Sequence, residues 1–570
     1  MKKWVFNNQK FSFANQLKED LGIPLIYAQL LEQRGITTFD EAKQFLRPSS
    51  KDFHSPYLML GMRKAVNRIV FAKEKGQRLM VYGDYDVDGT CSVALMFQFI
   101  QQLGIDVVHY QPDRYKEGYG ISMAGVQSAK NGNIDLVIAL DCGVKAIEQS
   151  RELKKAAIDL IICDHHLPGN NLPTCVALLN PKQQDCLYPF KDLCGCGIGF
   201  KLIQAIGEEL ELNQENIFSF LDLTAIATAA DLVPMIGENR VIVKLGLELM
   251  NSSPRQGVKA LLETSNKKGE LESSDLVFLL APRINAAGRL AHASIAVKLL
   301  ASKSKNDALN FAKEIEQINS LRKKKDKTIT HQALLLLEND KDKVTSVVCS
   351  DDWHKGVVGI VASRLIETYY RPTVVLCNDG EFITGSVRSV KGFDVHEILV
   401  EIEDIFVRFG GHKYAAGVTL LPMKLEEFKI RFEEAVKRKI TKEILTQKIY
   451  IDAKLSSQDL VRDKKNNPFP RLYRLVDQLA PFGPGNMRPV FMLENMLDAG
   501  NSRVVGETHL KLNVKQDGGN ITFDGIGFGL GHLASTVKEQ SNSFAIAFSM
   551  EKNQYNGHTS FQLKVRDLVS

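Results

Sequence analysis

From Arg78 onward the chain alternates short, wholly apolar runs with helical stretches, and this alternation limits the fold more than any other feature. Leu79-Met80-Val81-Tyr82 is one such run, Thr90 to Gln102 carries a helical pattern stopped at Gly104, and Val107 to Tyr110, apolar but for His109, is the next strand. Leu136 to Leu140, Leu160 to Cys163 and Val176 to Leu179 continue the series. A strand that is apolar at every position is covered on both faces, so the pattern predicts an α/β fold with a parallel sheet and helices on both sides.

Beyond this sheet, the stretch from Lys305 to Glu338 is charged and nearly free of helix breakers, which predicts a long connecting helix. Its cluster Arg322-Lys323-Lys324-Lys325 reads either as a solvated face or as one wall of a substrate groove. A second α/β unit follows, with strands at Val344 to Cys349 and Thr373 to Cys377 flanking a helix from Gly356 to Tyr370. From Ile449 the pattern changes to short alternating runs with many glycines, which predicts an antiparallel barrel or sandwich. The expected division is a lead-in segment 1–60 packed on the first α/β domain, that domain at 61–304, the connecting helix at 305–340, the second α/β domain at 341–445, and the β domain at 446–570.

Composition narrows the class. Over 570 residues, 44% apolar and 24% charged residues are ordinary globular values, which excludes wholesale disorder, collagen-like structure and coiled coil. A net charge of only +5 excludes global basicity, so any nucleic-acid contact must rest on local charge. No run has the length of a membrane helix and the amino terminus lacks a signal-peptide core, so a cytoplasmic protein without membrane association is expected. The nine scattered cysteines read as reduced thiols; Cys186, Cys194 and Cys196 lack a second pair at zinc-finger spacing and are expected to be packing residues.

The chemistry concentrates in Gly83-Asp84-Tyr85-Asp86-Val87-Asp88-Gly89, where three carboxylates follow an apolar strand at every second position. Crowded anions repel unless a cation neutralises them, so a divalent metal bound through oxygen is the natural occupant. A solvated acidic turn and a calcium loop are the alternatives; the latter is weakened because the twelfth position from Asp84 is Leu95 instead of Glu. The run Leu136 to Leu140 ends in Asp141, Leu160 to Cys163 in Asp164-His165-His166, and the apolar segment Leu223 to Ala230 in Asp231. Ligands bind beyond the carboxyl ends of parallel strands, so these groups are expected to converge on one crevice. Five aspartates with imidazole suit a pair of Mn²⁺ or Mg²⁺ ions and point to phosphoester hydrolysis.

Asp84-Tyr85-Asp86-Val87-Asp88-Gly89, Asp141, Asp164-His165-His166 and Ala229-Ala230-Asp231-Leu232-Val233-Pro234 resemble the four ordered motifs of the DHH phosphoesterase family. The likeness is narrower to its bacterial single-strand-specific 5′-to-3′ DNA exonucleases. Pro282 to Arg289, Trp353 to Arg364, Gly410 to Gly417 and Pro481-Phe482-Gly483-Pro484-Gly485-Asn486 also fit. The resemblance implies a DHH-type catalytic domain, a DHH-associated domain and a carboxyl-terminal OB-fold barrel that grips single strands.

The same resemblance implies two divalent ions, Mn²⁺ or Mg²⁺, bridged by Asp141 and held by Asp84, Asp86, Asp88, His165 and Asp231. It places His166 against the scissile phosphate and gives Asp164 the task of orienting a histidine. Arg114, Arg283, Asn285, Arg289, Arg388, Ser389, Gly410, Gly411 and His412 are implied DNA contacts, while Tyr115 and Tyr119 read as base-stacking or packing residues. The implied activity is degradation of single-stranded DNA to 5′-mononucleotides by a monomer in recombinational and mismatch repair. Implied partners are a single-strand binding protein and a DNA helicase. A DHH phosphodiesterase of short oligonucleotides or cyclic dinucleotides is the alternative activity, and a non-enzymatic DNA-binding scaffold is the remaining one.

Overall fold

The computed structural model describes residues 2–7, 10–463, 467–539, 543–555 and 558–570. The chain forms two compact units, one built from residues 4–288, 292–315 and 449–570, the other from residues 289–291 and 316–448 with Lys2 and Lys3.

The first unit opens with helices α1 (Ala14–Leu21), α2 (Leu25–Glu32) and α3 (Phe39–Leu46). A capping box starts α3, in which Thr38 accepts the Glu41 amide and the Glu41 side chain accepts the Thr38 amide. Their apolar faces, with Leu17, Tyr27, Leu30 and Leu31 fully buried, share one core with Leu455, Leu472, Phe491 and Phe548 of the carboxyl-terminal region. The expectation that residues 1–60 pack on the first α/β domain therefore holds for part of the segment: Phe53, Tyr57 and Met59 join that domain's core and Phe45 lies against its Arg240, while the apolar faces of α1–α3 turn to the carboxyl-terminal region. Helical periodicity shows which face is buried; it carries no information about the partner that buries it.

The parallel sheet consists of β1 (Leu79–Gly83), β2 (Val107–Tyr110), β3 (Leu136–Leu140), β4 (Asp159–Cys163) and β5 (Ala177–Leu179), in the order β2-β1-β3-β4-β5. Alternate residues face opposite layers, as the strand period of two requires. Val81, Ile138 and Ile161 point to one core, and Met80, Tyr82, Val137 and Ile162 to the other. Helix α4 (Val87–Gln102) leaves β1 with Asp86 as its cap; α5 (Gly195–Glu209), α6 (Leu221–Ala230) and α7 (Gly237–Ser252) follow β5. The apolar segment expected at Leu223 to Ala230 is thus a buried helix that ends at Asp231.

Helix α8 (Lys305–Leu336) is the expected connector. Within the second unit its basic cluster is not uniformly solvated, because Arg322 is buried, with its guanidinium on Asn319 Oδ1. That unit holds a sheet of β6 (Ser346–Ser350), β7 (Thr373–Asn378), β8 (Ile383–Arg388), β9 (Phe406–His412) and β10 (Ala415–Leu420) in the order β9-β10-β8-β7-β6. Only the β6–β7 pair is parallel. Helix α9 (Val358–Tyr369) covers one face.

The chain then returns to the first unit. Strands β11 (Phe491–Asp498), β12 (His509–Gln516), β13 (Thr522–Gly527), β14 (Phe544–Tyr555) and β15 (His558–Val569) close a ring in which β11 pairs with both β14 and β12. β15 joins β14 antiparallel and β13 parallel, and β12–β13 completes the closure. This is a five-stranded barrel of the OB type.

Candidate metal centre

In a sheet ordered β2-β1-β3-β4-β5, the connections leave in opposite directions on either side of the β1/β3 boundary, and the crevice beyond those strand ends is where such sheets bind ligands. Asp84 directly follows β1 and Asp141 directly follows β3. Asp141 has φ +59°, a left-handed conformation that an Asp tolerates better than most residues.

Three interlocking groups share this crevice: Asp84, Asp86 and Asp141; Asp88, His165 and Asp231; and Asp141, His165 and His166, each with ligand atoms within 4.8 Å of one another. His165 Nε2 lies 3.2 Å from Asp141 Oδ1 and 4.0 Å from Asp88 Oδ2, while its Nδ1 lies 3.7 Å from Asp231 Oδ2. Among the described residues no cysteine belongs to such a group; Cys194 Sγ instead accepts the Gly197 amide at the start of α5.

The side chains are held from behind. Asp88 accepts the Gly195 and Cys196 amides, at 2.6 and 2.8 Å, from the amino-terminal end of α5. Asp86 accepts the Gly89 amide at 3.0 Å. Asp164 accepts the Val144 amide at 2.9 Å with one oxygen and faces His166 Nδ1 at 2.7 Å with the other. His165 and His166 follow Asp164, which itself follows the strand end, and Asp164 holds the ring of His166.

The electrostatics of the crevice favour a bound cation. Burial, then the neighbouring Asp86 charge, pushes Asp84 well above the usual carboxylate range. Burial and the Asp86 charge take Asp88 up to about 6; burial with the charges of Asp88 and Asp86 takes Asp231 up to about 9. Asp141 is also driven strongly upward by burial and by its carboxylate neighbours. Burial and the adjacent His166 lower His165 to about 3, which keeps it neutral, the form in which an imidazole can ligate a metal. Burial would raise Asp164 too, yet the hydrogen bond and charge of His166 and the Val144 amide bring it below its ordinary value. Asp84 Oδ1, Asp141 Oδ1 and His165 Nδ1 are buried with no hydrogen-bond partner among the described residues. Orphaned buried acceptors that converge in this way fit hard divalent ions ligated by oxygen and one imidazole.

The remaining expected residues divide between the units. Arg114 lies over the Tyr85 ring at 4.7 Å, and its charge reaches Asp84. Arg283 and Asn285 lie on the helix Ala281–Leu290, which abuts the aspartate turn: a Cβ on Gly288 would come within 2.4 Å of the Tyr85 carbonyl. Arg283 is largely buried, with a bond to the Leu279 carbonyl, whereas Asn285 is half-buried. In the second unit, Arg289 donates to the Gly356 carbonyl. There Arg388 ends β8, with Ser389 just after it, beside β10, whose Ala415 pairs both with Arg388 and with His412 of β9. Gly411, at φ +152°, is required by this hairpin, since a Cβ would meet the Ala415 carbonyl at 2.4 Å; Gly410 faces open space.

Sequence reasoning missed two contributors. Tyr119 is more than a stacking or packing residue: its hydroxyl donates to the Asp141 carbonyl at 3.0 Å and lies 3.1 Å from His166 Nδ1. Its flanking glycines, Gly118 and Gly120, are the available signal. The amides of Gly195 and Cys196 carry no side-chain signature at all.

Comparison with known proteins follows the same division. Residues 78–228 match the DHH family, N-terminal domain, residues 341–438 the DHHA1 domain, and residues 451–567 the RecJ OB domain. The chain is 36% identical to the single-stranded-DNA-specific exonuclease RecJ of Bacillus subtilis, over 99% of this chain and 70% of that protein. It is 31% identical to RecJ of Escherichia coli over 96% of each. Among solved structures, RecJ of Thermus thermophilus in complex with Mn²⁺ superposes with a TM-score of 0.82 at 27% identity, covering 100% of this chain and 79% of that one. The same protein in complex with Mg²⁺ superposes with a TM-score of 0.77 at 26% identity, covering 100% and 78%.

Proposed function

The chain belongs to the RecJ family of single-stranded-DNA-specific exonucleases, and from that premise we propose that it hydrolyses single-stranded DNA from the 5′ end to 5′-mononucleotides with two divalent ions, Mn²⁺ or Mg²⁺. The observation that carries the reading is the convergence of Asp84, Asp86, Asp88, Asp141, His165 and Asp231 on one crevice, with buried acceptors left without partners. Asp141 and His165 each belong to two of the three groups, and of the two it is Asp141, with two carboxylate oxygens, that would hold both ions.

When bound, two such ions supply charge stabilisation to the attacking and leaving oxygens of an in-line displacement. The chain's own residues do the rest. Asp88 is locked by the amides of α5, and His165 is kept neutral by burial. Asp164 fixes the ring of His166, which is left to face the scissile phosphate. Arg114, Arg283 and Asn285 in one unit, and Arg289, Arg388, Ser389, Gly410, Gly411 and His412 in the other, are the proposed contacts to the strand. The closed barrel at the carboxyl end supports a polymeric substrate over a dinucleotide, which has no length for a barrel to grip. Recombinational and mismatch repair are the proposed settings.

The test uses single strands labelled at the 5′ or the 3′ end, with Mn²⁺ or Mg²⁺ added to the purified full chain. Early release of labelled mononucleotide from the 5′ end only, lost with chelator and in Asp141→Ala, is expected. Release from the 3′ end first, equal turnover of dinucleotides and long strands, or retained cleavage by metal-replete Asp141→Ala overturns the reading.

A further inference from the structure

The motif Pro481-Phe482-Gly483-Pro484-Gly485-Asn486 sits far along the chain from the metal-site residues, and neither the barrel nor the catalytic sheet uses it as a structural element. Its contacts are specific. Asp231 ends α6, and residues 232–236 lead into α7. Leu232, next to Asp231, has φ +58°, a conformation strained for a branched side chain, and at 58% exposure its own packing does not hold it there. The loop is tied further along by Asn239 Nδ2, which donates to the Pro234 carbonyl at 3.0 Å, and by the turn. The Met235 amide donates to the Pro484 carbonyl at 2.6 Å, and the buried Met235 side chain fills the place of a Cβ on Gly483, which would come within 3.0 Å of it. Gly485, at φ +75°, faces Pro234 and Ile236.

The turn itself is fastened from three sides. Asn486, 1% exposed, donates from Nδ2 to the Leu479 and Pro481 carbonyls at 2.8 and 2.9 Å, and its Oδ1 accepts from Arg34 Nε of the amino-terminal helices at 2.7 Å. Gly483 and Asn486 exchange backbone hydrogen bonds. Arg240, in the first turn of α7, is buried and donates to the carbonyls of Leu479, Ala480 and Pro481, with its guanidinium 3.8 Å over the Phe45 ring. Amino-terminal helix, carboxyl-terminal turn and the loop that carries Asp231 are therefore one hydrogen-bonded assembly.

We propose that the Pro481–Asn486 turn is a positioning element for Asp231, so that the carboxyl-terminal region sets the affinity of the metal centre as well as contacting the strand. This rests on Asp231 as a metal ligand. A residue that holds a ligand in place typically accounts for ten- to a hundredfold in metal affinity. By linkage, metal bound at Asp231 must in return steady the turn.

The test measures Mn²⁺ affinity on the full chain by the electron paramagnetic resonance of free Mn²⁺, for the wild type, Asp231→Asn, Gly483→Ala and Asn486→Ala, with circular dichroism to verify folding. Expected is weaker binding by about tenfold or more in all three variants. In the two turn variants kcat returns at saturating Mn²⁺ and KM for DNA is unchanged. If Asp231→Asn binds Mn²⁺ as the wild type does, the ligand reading fails and the proposal with it. If Asp231→Asn weakens binding while folded turn variants stay within twofold of wild type, the positioning role alone is overturned. Hydrogen exchange on the wild type needs no variant: Mn²⁺ should slow exchange of the Met235, Gly483 and Asn486 amides together. Protection of Met235 without any change in the turn also overturns the proposal.

Discussion

His166 Nδ1 lies 2.7 Å from Asp164 Oδ1, and the second oxygen of that carboxylate accepts the Val144 amide at 2.9 Å. Asp164 is thus a buried anion with both oxygens engaged, one of them on the His166 ring. Asp164→Asn keeps the shape and one acceptor but presents an amide N–H where an anion stood. The expected result is a ten- to a hundredfold fall in kcat, with Mn²⁺ affinity within a few-fold of wild type, because His165 and the ligating aspartates keep their own supports. Single-turnover cleavage at saturating Mn²⁺ is the measurement. Wild-type kcat in this variant would remove His166 from the reaction.

Stability without metal should depend on pH in a direction fixed by the carboxylates. Asp231 is raised from 3.8 to about 9, so between those values the native state holds a proton that the unfolded chain has released, and stability falls as pH rises. His165 is shifted the other way, from 6.5 to about 3, and its contribution rises with pH but is complete by about 6.5. From about pH 6.5 to 9 the carboxylate trend stands alone of the two. Calorimetry of the metal-free protein should show Tm falling across that window, Mn²⁺ should abolish the fall, and Asp231→Asn should flatten it while raising Tm at pH 8.5. A metal-free Tm that is level from 6.5 to 9 would contradict the crowding of these anions.

The fold and the centre are legible in the sequence to different depths for physical reasons. Runs such as Leu136 to Leu140 declare a doubly covered parallel strand by composition alone, and the strand-end rule then places Asp84, Asp141 and His165 together without further information. The segment before Asp231 is ambiguous, because a run of eight residues, six of them apolar, suits a buried helix and a buried strand equally; its length and its alanines only in hindsight favour α6. What stays hidden depends on contacts distant in sequence. Leu30 and Leu31 announce burial but give no hint of Phe491 as neighbour, and nothing in Arg240 reveals that its partners are the carbonyls of residues 479 to 481.

That shared core makes the amino-terminal helices part of the carboxyl-terminal region's stability. Leu31 is fully buried in it, and Leu31→Ala should cost about 2–5 kcal/mol from lost burial and an unfilled cavity. Limited proteolysis should then cut α1–α3 and the barrel together, with the parallel-sheet domain more resistant. Selective cleavage within α1–α3 that leaves the barrel intact would show that the two do not fold as one.

DNA contacts in a chain of net charge +5 must come from local cations, which predicts a strong salt dependence despite the near-neutral composition. Each phosphate contact releases condensed counterions, so the logarithm of the binding constant for a long single strand should fall linearly with the logarithm of salt, with a slope of about −0.7 per contact. Arg388 ends β8 with its guanidinium on Ser386 Oγ and the Val387 carbonyl, a held geometry suited to a phosphate. Arg388→Ala should weaken binding equally across sequences and reduce the slope by about one contact's worth, measured by fluorescence anisotropy with Ca²⁺ to suppress cleavage. A slope unchanged by Arg388→Ala would remove that residue from the phosphate track, and flat binding between low and moderate salt would remove the track itself.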